Sequence, residues 1–153
     1  REQVLIMTPY FLPSLEMISA LQSASLRGID VKIVLPAKNN LPFIQWATNN
    51  MLRELLYWGV RVYYQPPPFV HTKLFVVDQQ YAQIGSANFD PRSFRLNFEL
   101  SVEIYDHHVA KTIAGHIEHR IKHSQLIHLS DIEQRPLIIK FRDALMWLFS
   151  PYF

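Results

Sequence analysis

Apolar and polar residues form alternating blocks along the first 64 positions of the chain. Three short runs rich in β-branched residues have the length of buried strands: residues 4–7, 31–35 and 61–64. Between them, Ser14 can cap a helix that Gly28 ends, and apolar residues recur every four positions across about residues 43–58. This order of strands and helices predicts a layered α/β domain.

The pattern changes after three consecutive prolines at positions 66–68. Residues 73–77 and 81–84 are apolar runs joined by a polar link at 78–80, which predicts a hairpin. A polar loop follows at 85–97 and a further strand at 98–105, and the rest is predicted to be mostly helical, about 107–123 and 136–149, with a turn near Asp131. The sequence has no internal repeat, so residues 1–153 are expected to form one domain with a C-terminal helical segment at about 107–153.

Composition narrows the function classes. The chain has 153 residues, of which 49% are hydrophobic, enough for the core of one domain. The absence of cysteine excludes disulfides, thiolate metal sites and a cysteine nucleophile. A formal net charge of only +2 leaves no broad basic surface for nucleic acid, so no nucleic-acid partner is expected, although a local basic pocket is compatible with it.

The sequence has no apolar stretch of membrane-spanning length and no signal peptide. It begins at Arg1, without an initiator methionine, and is strand-like within a few residues. We therefore expect it to be the back part of a longer protein, with any anchoring segment elsewhere.

Residues with complementary chemistry flank the predicted hairpin. His71 and Lys73 are two positions apart, so on a strand they point from the same face and place an imidazole beside an ammonium group. The return strand would bring Gly85, Ser86 and Asn88 near His71, with Gly85 permitting close backbone approach and the others supplying neutral hydrogen-bond donors. These groups suit a phosphate diester: Lys73 and Asn88 would hold the non-bridging oxygens while His71 attacks phosphorus.

A nucleophilic imidazole needs a carboxylate to orient its second ring nitrogen. Asp78 lies about five residues, or about 16 Å, beyond Lys73 along the strand, too far to touch His71. Glu99, on the strand after the loop, is the better candidate for this partner. Asp78 is expected to fix the hairpin or the backbone donors of the loop instead.

The residues His71, Lys73, Asp78, Gly85, Ser86 and Asn88 fill every fixed position of the pattern HxKxxxxDxxxxxxGSxN. The chain thereby resembles the phospholipase D superfamily. Its surroundings resemble the C-terminal half of bacterial cardiolipin synthases of this type, in the segments 8–13, 27–31, 85–99 and 135–151. The resemblance implies a phospholipase D/nuclease-like fold, a layered αβα sandwich with a mixed β-sheet, which forms one of two pseudo-symmetric halves.

Carried over residue by residue, the resemblance makes His71 the nucleophile, Lys73 and Asn88 the phosphate ligands, and Ser86 their support. Glu99 matches the acidic partner of the histidine, and Asp78 completes the motif. The family implies no metal and no cofactor. It also requires two such motifs, because one histidine attacks while a second, protonated one protonates the leaving oxygen. The second half is therefore expected from an absent upstream segment or, less favoured, from a second copy of this chain.

The expected reaction transfers a phosphatidyl group from one phosphatidylglycerol to another through a phosphohistidine, giving cardiolipin and glycerol. The partners implied are phospholipids and a membrane surface, with the catalytic domain facing the aqueous phase at the bacterial inner membrane. One alternative is a hydrolase of the superfamily, a phospholipase D or a homodimeric single-motif nuclease or phosphodiesterase, although the near-neutral charge argues against a nuclease. The other is a catalytically silent scaffold, which is disfavoured because every chemical position is filled.

Three further features have competing interpretations. His116, His119 and His123 share one helical stripe, which is interpreted as a solvated basic face rather than a metal site. Arg92 and Arg95 either reach lipid phosphates or, for Arg92, pair with Asp90 in the loop. In the last helix, the apolar stripe of Leu137, Phe141, Leu145 and Leu148, with Tyr152 and Phe153 after it, is predicted to pack on the domain, with contact to a membrane interface as the alternative.

Overall fold

The computed structural model describes residues 2–150. Arg1 and residues 151–153, with the predicted aromatic end at Tyr152 and Phe153, lie outside the described residues. The strands are β1 Gln3–Met7, β2 Asp30–Pro36, β3 Arg61–Gln65, β4 Leu74–Val77, β5 Tyr81–Gly85, β6 Ser101–Ile104 and β7 Gln125–Ile127. The helices are α1 Leu15–Leu26, α2 Pro42–Tyr57, α3 Pro91–Arg95, α4 His107–Lys122, α5 Leu129–Glu133 and α6 Leu137–Leu148.

The described strands form one mixed sheet of seven, in the order β6-β5-β4-β1-β2-β3-β7. The three central strands β1, β2 and β3 are parallel, and α1 and α2 connect them in turn. On one side β4, β5 and β6 continue the sheet in antiparallel fashion, and on the other β7 pairs antiparallel with β3. The predicted α/β class with a mixed sheet is confirmed.

Helices cover both faces of the sheet, because the β-strand side chains alternate between two apolar cores. On one face, α1 and α2 pack on alternate strand residues such as Ile6, Ile33 and Val62. On the other, α4 packs on Leu5, Val34 and their neighbours. The result is the predicted three-layer αβα arrangement.

Local signals in the sequence explain where the elements begin and end. The Ser14 hydroxyl accepts a hydrogen bond from the backbone N–H of Met17 at 3.4 Å and caps α1. Gly28 and Gly59, just past α1 and α2, have φ of 83° and 85°, a left-handed conformation that costs glycine little.

The structure differs from the sequence prediction in three short elements. β7 lies within the region predicted as mostly helical. It was not predicted, because three residues are too few to show the alternating pattern of a strand. The predicted loop 85–97 contains the helix α3, which Asp90 caps and Pro91 starts. The predicted strand 98–105 is shorter, since only Ser101–Ile104 pairs with β5.

The C-terminal helix α6 packs on α2, but not with the predicted face. Leu137, Phe141 and Leu148 are 82%, 72% and 65% exposed, whereas Asp143 is buried at 3% and Met146 joins a cluster with Ile44. The prediction that the leucine and phenylalanine stripe packs on the domain is therefore wrong. No helix within residues 2–150 has the combined length and apolarity needed to cross a bilayer.

Candidate active site

The register of the sheet brings the candidate residues to one end of it. Leu74, the first residue of β4, pairs with Met7 at the carboxyl end of β1 and with Ile84 near the end of β5. Gly85 in turn pairs with Ser101 at the start of β6. The segments that carry His71, Lys73, Ser86, Asn88 and Glu99 therefore all leave the sheet at the carboxyl end of its parallel strands.

His71 and Lys73 are in direct contact. The Lys73 ammonium lies 2.8 Å from Nδ1 and 3.3 Å from Nε2 of His71, and it donates to the His71 backbone carbonyl at 3.0 Å. Both residues precede β4 rather than lying within it, so the contact arises because the lysine folds back onto the chain. His71 is exposed, whereas Lys73 is only 7% exposed.

Burial favours the neutral form of both groups, and for His71 the neighbouring charge does so as well. Burial, and then the positive charge of Lys73, lower the pKa of His71 below its usual range. Burial lowers the pKa of Lys73 as well, although the carboxylates of Glu99 and Asp90 oppose that shift. A histidine with a lowered pKa is neutral near pH 7, which is the nucleophilic form of an imidazole.

Two aromatic rings pack against one side of His71. The ring of Tyr10 meets it edge-on with centroids 5.7 Å apart, and the ring of Phe69 lies 5.9 Å away. Tyr10 is held in turn by a 2.9 Å hydrogen bond from its hydroxyl to Asn40 Oδ1. These rings shield one side of the imidazole from water and restrict its orientation.

Ser86 and Glu99 form a second contact across the β5–β6 junction. The Ser86 hydroxyl donates to Oε2 of Glu99, and Asn97 donates to Oε1 at 3.1 Å. These two hydrogen bonds, first that of Ser86, lower the pKa of Glu99 and keep it ionised. Within residues 2–150, Glu99 makes no hydrogen bond to His71, so its assignment as the acidic partner of the histidine stays a prediction.

Gly85 permits a close approach, but it is the approach of a neighbouring strand. A Cβ atom on this residue would lie 2.5 Å from Ser101 Oγ and 2.6 Å from the Leu100 carbonyl oxygen. The backbones of β5 and β6 can therefore come together only with glycine here. That close packing sets the position of Ser86 relative to Glu99.

Asn88 is held by a serine that the sequence analysis did not single out. The Ser93 hydroxyl accepts from the Asn88 backbone N–H at 3.1 Å and from its side-chain Nδ2 at 3.4 Å. Ser93 is 5% exposed, and its own N–H donates to Asp90. The Oδ1 atom of Asn88 is buried without a hydrogen-bond partner among residues 2–150. Buried polar atoms are rarely left so in a packed interior, and an exception calls for an explanation such as binding.

Replacing Ser93 with alanine is expected to lower the kcat for a phosphodiester substrate by about tenfold, the effect of losing about one neutral hydrogen bond. The reason is that the Asn88 carboxamide loses the hydroxyl that orients it. Steady-state kinetics should show the loss in kcat, with partial rescue by Ser93→Thr. The exposed Ser130 provides the control, because Ser130→Ala should leave kcat and KM unchanged. An equal loss in the two variants would contradict the role given to Ser93.

Asp78 lies at the opposite end of the sheet from His71. Its Oδ1 accepts from the backbone N–H groups of Glu2 at 2.6 Å and Gln3 at 2.9 Å, and its backbone has φ of 53°. It therefore fixes the tip of the β4–β5 hairpin to the start of β1. This geometry gives Asp78 a structural role, and its inclusion among the catalytic residues stays a prediction.

A pocket beside Lys73 completes the site. It is lined mainly by apolar side chains and by the β5–β6 junction: Met17, Phe89, Phe94, Gly85 and Ser101. An apolar pocket next to a cation suits a molecule that carries both a phosphate and hydrocarbon.

The histidine stripe on α4 lies apart from this site, whereas Arg92 and Arg95 lie on α3 beside Ser93 and Phe94. On α4 the rings of His119 and His123 are 4.7 Å apart, and residues 2–150 contain no group of three or more histidine and carboxylate side chains arranged to hold a metal. Asp90 caps α3 and forms no ion pair with Arg92, so that predicted loop pair is not formed. Arg92 and Arg95 are both exposed.

Tyr10 and Ser93 are among the site side chains that the sequence analysis did not identify. Tyr10 has a signal, because it follows the carboxyl end of a predicted central strand, where sites of open α/β sheets gather. Ser93 has only a weak one, its position three residues after the capping Asp90.

The fold and the site place the chain among phospholipase D-like proteins. The crystal structure of Nuc, a phospholipase D family member from Salmonella typhimurium, matches with a TM-score of 0.72 and 25% identity over 83% of this chain and 82% of that chain. Phosphatidylserine synthase from Haemophilus influenzae Rd KW20 has the same fold, with a TM-score of 0.77 and 17% identity, covering 100% of this chain and 42% of that one.

The family is narrower than the fold. Residues 1–121 match the family described as "Cardiolipin synthase, PLD-like domain", and the chain belongs to this family. It is 38% identical to "Cardiolipin synthase 1" of Staphylococcus epidermidis and 40% identical to "Major cardiolipin synthase ClsA" of Bacillus subtilis strain 168, in each case over 151 residues. Each match covers 99% of this chain but only 31% of the relative. The predicted membership of the superfamily is confirmed, and the chain spans about a third of these relatives.

Proposed function

We propose that this chain supplies one half of the active site of a cardiolipin-forming phosphatidyltransferase. The observation that carries the proposal is the Lys73 ammonium, 2.8 Å from the imidazole of His71, beside an apolar pocket at the end of the sheet. The names of its relatives support the lipid product, since they are cardiolipin synthases.

In the proposed first step, Nε2 of His71 attacks the phosphorus of phosphatidylglycerol. A P–N bond forms while the bond from phosphorus to the glycerol oxygen breaks, and glycerol leaves with a proton. Lys73 and the remaining N–H of the Asn88 carboxamide donate to the non-bridging oxygens, and Ser86, whose hydroxyl donates to Glu99, supports them. In the second step a hydroxyl of another phosphatidylglycerol attacks the phosphohistidine. Its proton passes to the group that protonated the leaving glycerol, a P–O bond forms and the P–N bond breaks, which restores the imidazole and gives cardiolipin.

The proton for the leaving glycerol requires a second acid, because one imidazole cannot begin both neutral and protonated. We propose that a second half with its own histidine, from another segment of the same protein or from a second copy, supplies it. Exposed apolar side chains near Glu99 support the docking of this second half there. They are Phe94, Leu96, Phe98, Leu100 and Val102. The strand β6 also forms one edge of the described sheet, and edge strands are usually covered.

We also propose that residues 1–153 form one domain, which includes the helical segment from 107 onward. This domain is located at the bacterial inner membrane, with its site facing the aqueous phase. The domain and its location are compatible, because a water-facing domain can reach phospholipid headgroups without crossing the bilayer.

The test is to give the natural protein that carries this chain phosphatidylglycerol labelled in its free glycerol. The expected products are cardiolipin and released glycerol in equal amounts. Phosphatidic acid with glycerol would instead identify a hydrolase, since water would then be the acceptor. Absence of both products would refute the proposed activity.

A further inference from the structure

The helix α6 presents an apolar face to solvent. Its members are Leu137, Ile138, Phe141, Leu145 and Leu148, which are 82%, 78%, 72%, 40% and 65% exposed, and we call this set the α6 apolar face. At 100° per residue these positions lie within an arc of about 100° of the helix. Single exposed apolar residues are common, but a continuous stripe of five on one helix marks an interaction surface.

Positive charge borders this stripe on both sides. Arg142 and Lys140 lie about 90° and about 110° from its centre on the helix. The one carboxylate on α6, Asp143, is 3% exposed and is turned inward, where it pairs with Arg142 at 2.6 Å and Arg135 at 3.4 Å. Arg142 stacks 4.3 Å from the centroid of the Trp46 ring and shares Asp143 with Arg135, so two arginines offset one carboxylate. The surface that α6 offers to solvent is therefore apolar in the middle, with a net positive charge at its borders.

The inner side of α6 packs at the same end of the molecule as the candidate active site. Met146, on the inner side of α6, packs in a cluster with Leu12, Ile44 and Tyr10. The ring of Tyr10 is in turn in contact with the ring of His71. Because Met146 lies about 130° from the centre of the α6 apolar face, a surface that rests on that face is separated from the Tyr10 and His71 rings by the width of α6, about 10 Å.

We propose that the α6 apolar face docks on an anionic phospholipid bilayer and holds the site of His71 at the headgroup level. The charge pattern favours a bilayer over a protein partner, because acyl chains match the stripe and lipid phosphates match the net positive charge at its borders. With 12 residues, α6 is too short to span, so it lies in the plane of the interface. The inference rests on the proposed function in one respect, that the substrate is itself a bilayer lipid.

Insertion is tested with an environment-sensitive fluorophore on a single cysteine, which this sequence otherwise lacks. Leu148→Cys reports on α6. Leu26→Cys is the matched control, since both leucines are 65% exposed and Leu26 ends α1 at the opposite end of the sheet. With vesicles containing phosphatidylglycerol, the label at 148 should shift to shorter wavelength and be quenched by acyl-chain quenchers, whereas the label at 26 should not.

Three results would overturn the proposal. One is the absence of a shift at 148, and another is an equal shift at both positions. The third is a shift at 148 that follows protein concentration without lipid, which would identify a second protein molecule as the occupant. A shift with anionic vesicles that is much weaker with pure phosphatidylcholine supports the part given to Lys140 and Arg142.

An activity measurement separates docking from the proposed chemistry. The double variant Leu137→Glu, Phe141→Glu should lose about tenfold or more of the rate on vesicles at limiting lipid, because charge replaces inserted hydrocarbon. Its rate on a monomeric short-chain phosphatidylglycerol should match that of the unchanged protein and of Leu26→Glu. An equal loss on both substrates would contradict docking. If the label at 148 reports insertion but the unchanged protein is inactive on both substrates, the proposed function is refuted and the docking inference stands.

Discussion

Replacing His71 with asparagine is expected to abolish the covalent phosphoenzyme and to lower phosphatidyl transfer by at least about 10⁴-fold. The variant removes the ring nitrogen that would bond to phosphorus but leaves a polar side chain in its place. The fold should survive, because His71 is exposed and its partners within residues 2–150, Lys73, Tyr10 and Phe69, hold it outside the hydrophobic core. The loss is then attributable to chemistry rather than to unfolding.

The measurement is to trap the intermediate with labelled phosphatidylglycerol in the natural protein and to test the stability of the bond. A phosphohistidine survives base and is hydrolysed in acid, which distinguishes it from a phosphoserine. His108→Asn is the matched control, since His108 is also exposed but lies on α4, away from the site. Undiminished phosphoenzyme in His71→Asn would refute the nucleophilic role.

The central part of the fold follows from the sequence because it is built from buried periodic segments. Each of β1, β2 and β3 extends the predicted run by two residues or fewer, since strands covered on both faces must be apolar along their length. The helices between them end where Gly28 and Gly59 supply the left-handed residue that a helix end uses. In such segments the local pattern and the tertiary structure require the same residues.

The peripheral elements did not follow from pattern, for different reasons. β7 is set by pairing with β3, and nothing in its three residues predicts that pairing. The helix α3 had a readable signal in the capping Asp90 and in Pro91 at its first position, but its polar composition resembled a loop. The stripe of α6 is periodic, and periodicity alone does not state whether an apolar face meets the domain or another surface.

The candidate site also has a part that the sequence predicts and a part that it does not. The neighbourhood of His71 and Lys73 was predicted, although from a strand geometry that begins only at Leu74. The contact of Ser86 with Glu99 depends on the register that places Gly85 opposite Ser101, and such a register is a long-range property. The sequence therefore locates the chemistry, while the hydrogen-bond partners of each group come only from the assembled sheet.

Replacing Lys73 with glutamine is expected to raise the pKa of His71 and to slow transfer by about 10²–10³-fold. The rate falls because the phosphate loses its cation. The pKa rises because the ammonium 2.8 Å from Nδ1 disfavours the protonated ring, so its removal makes protonation easier. Burial of the ring continues to lower the pKa in the variant.

The sign of the pH dependence follows from the neutral ring being the nucleophile. In the unchanged protein the acidic limb of the rate profile should lie below the usual histidine range, and in Lys73→Gln it should move to higher pH. Nuclear magnetic resonance titration of the His71 ring without substrate measures the shift independently of the rate, and the exposed Lys111→Gln on α4 serves as the control. A His71 pKa that falls or stays constant in Lys73→Gln would contradict a charged lysine beside the ring. The close approach of cation and imidazole would then be a packing contact, and phosphate binding would have to depend on Asn88 with Ser86 as its support.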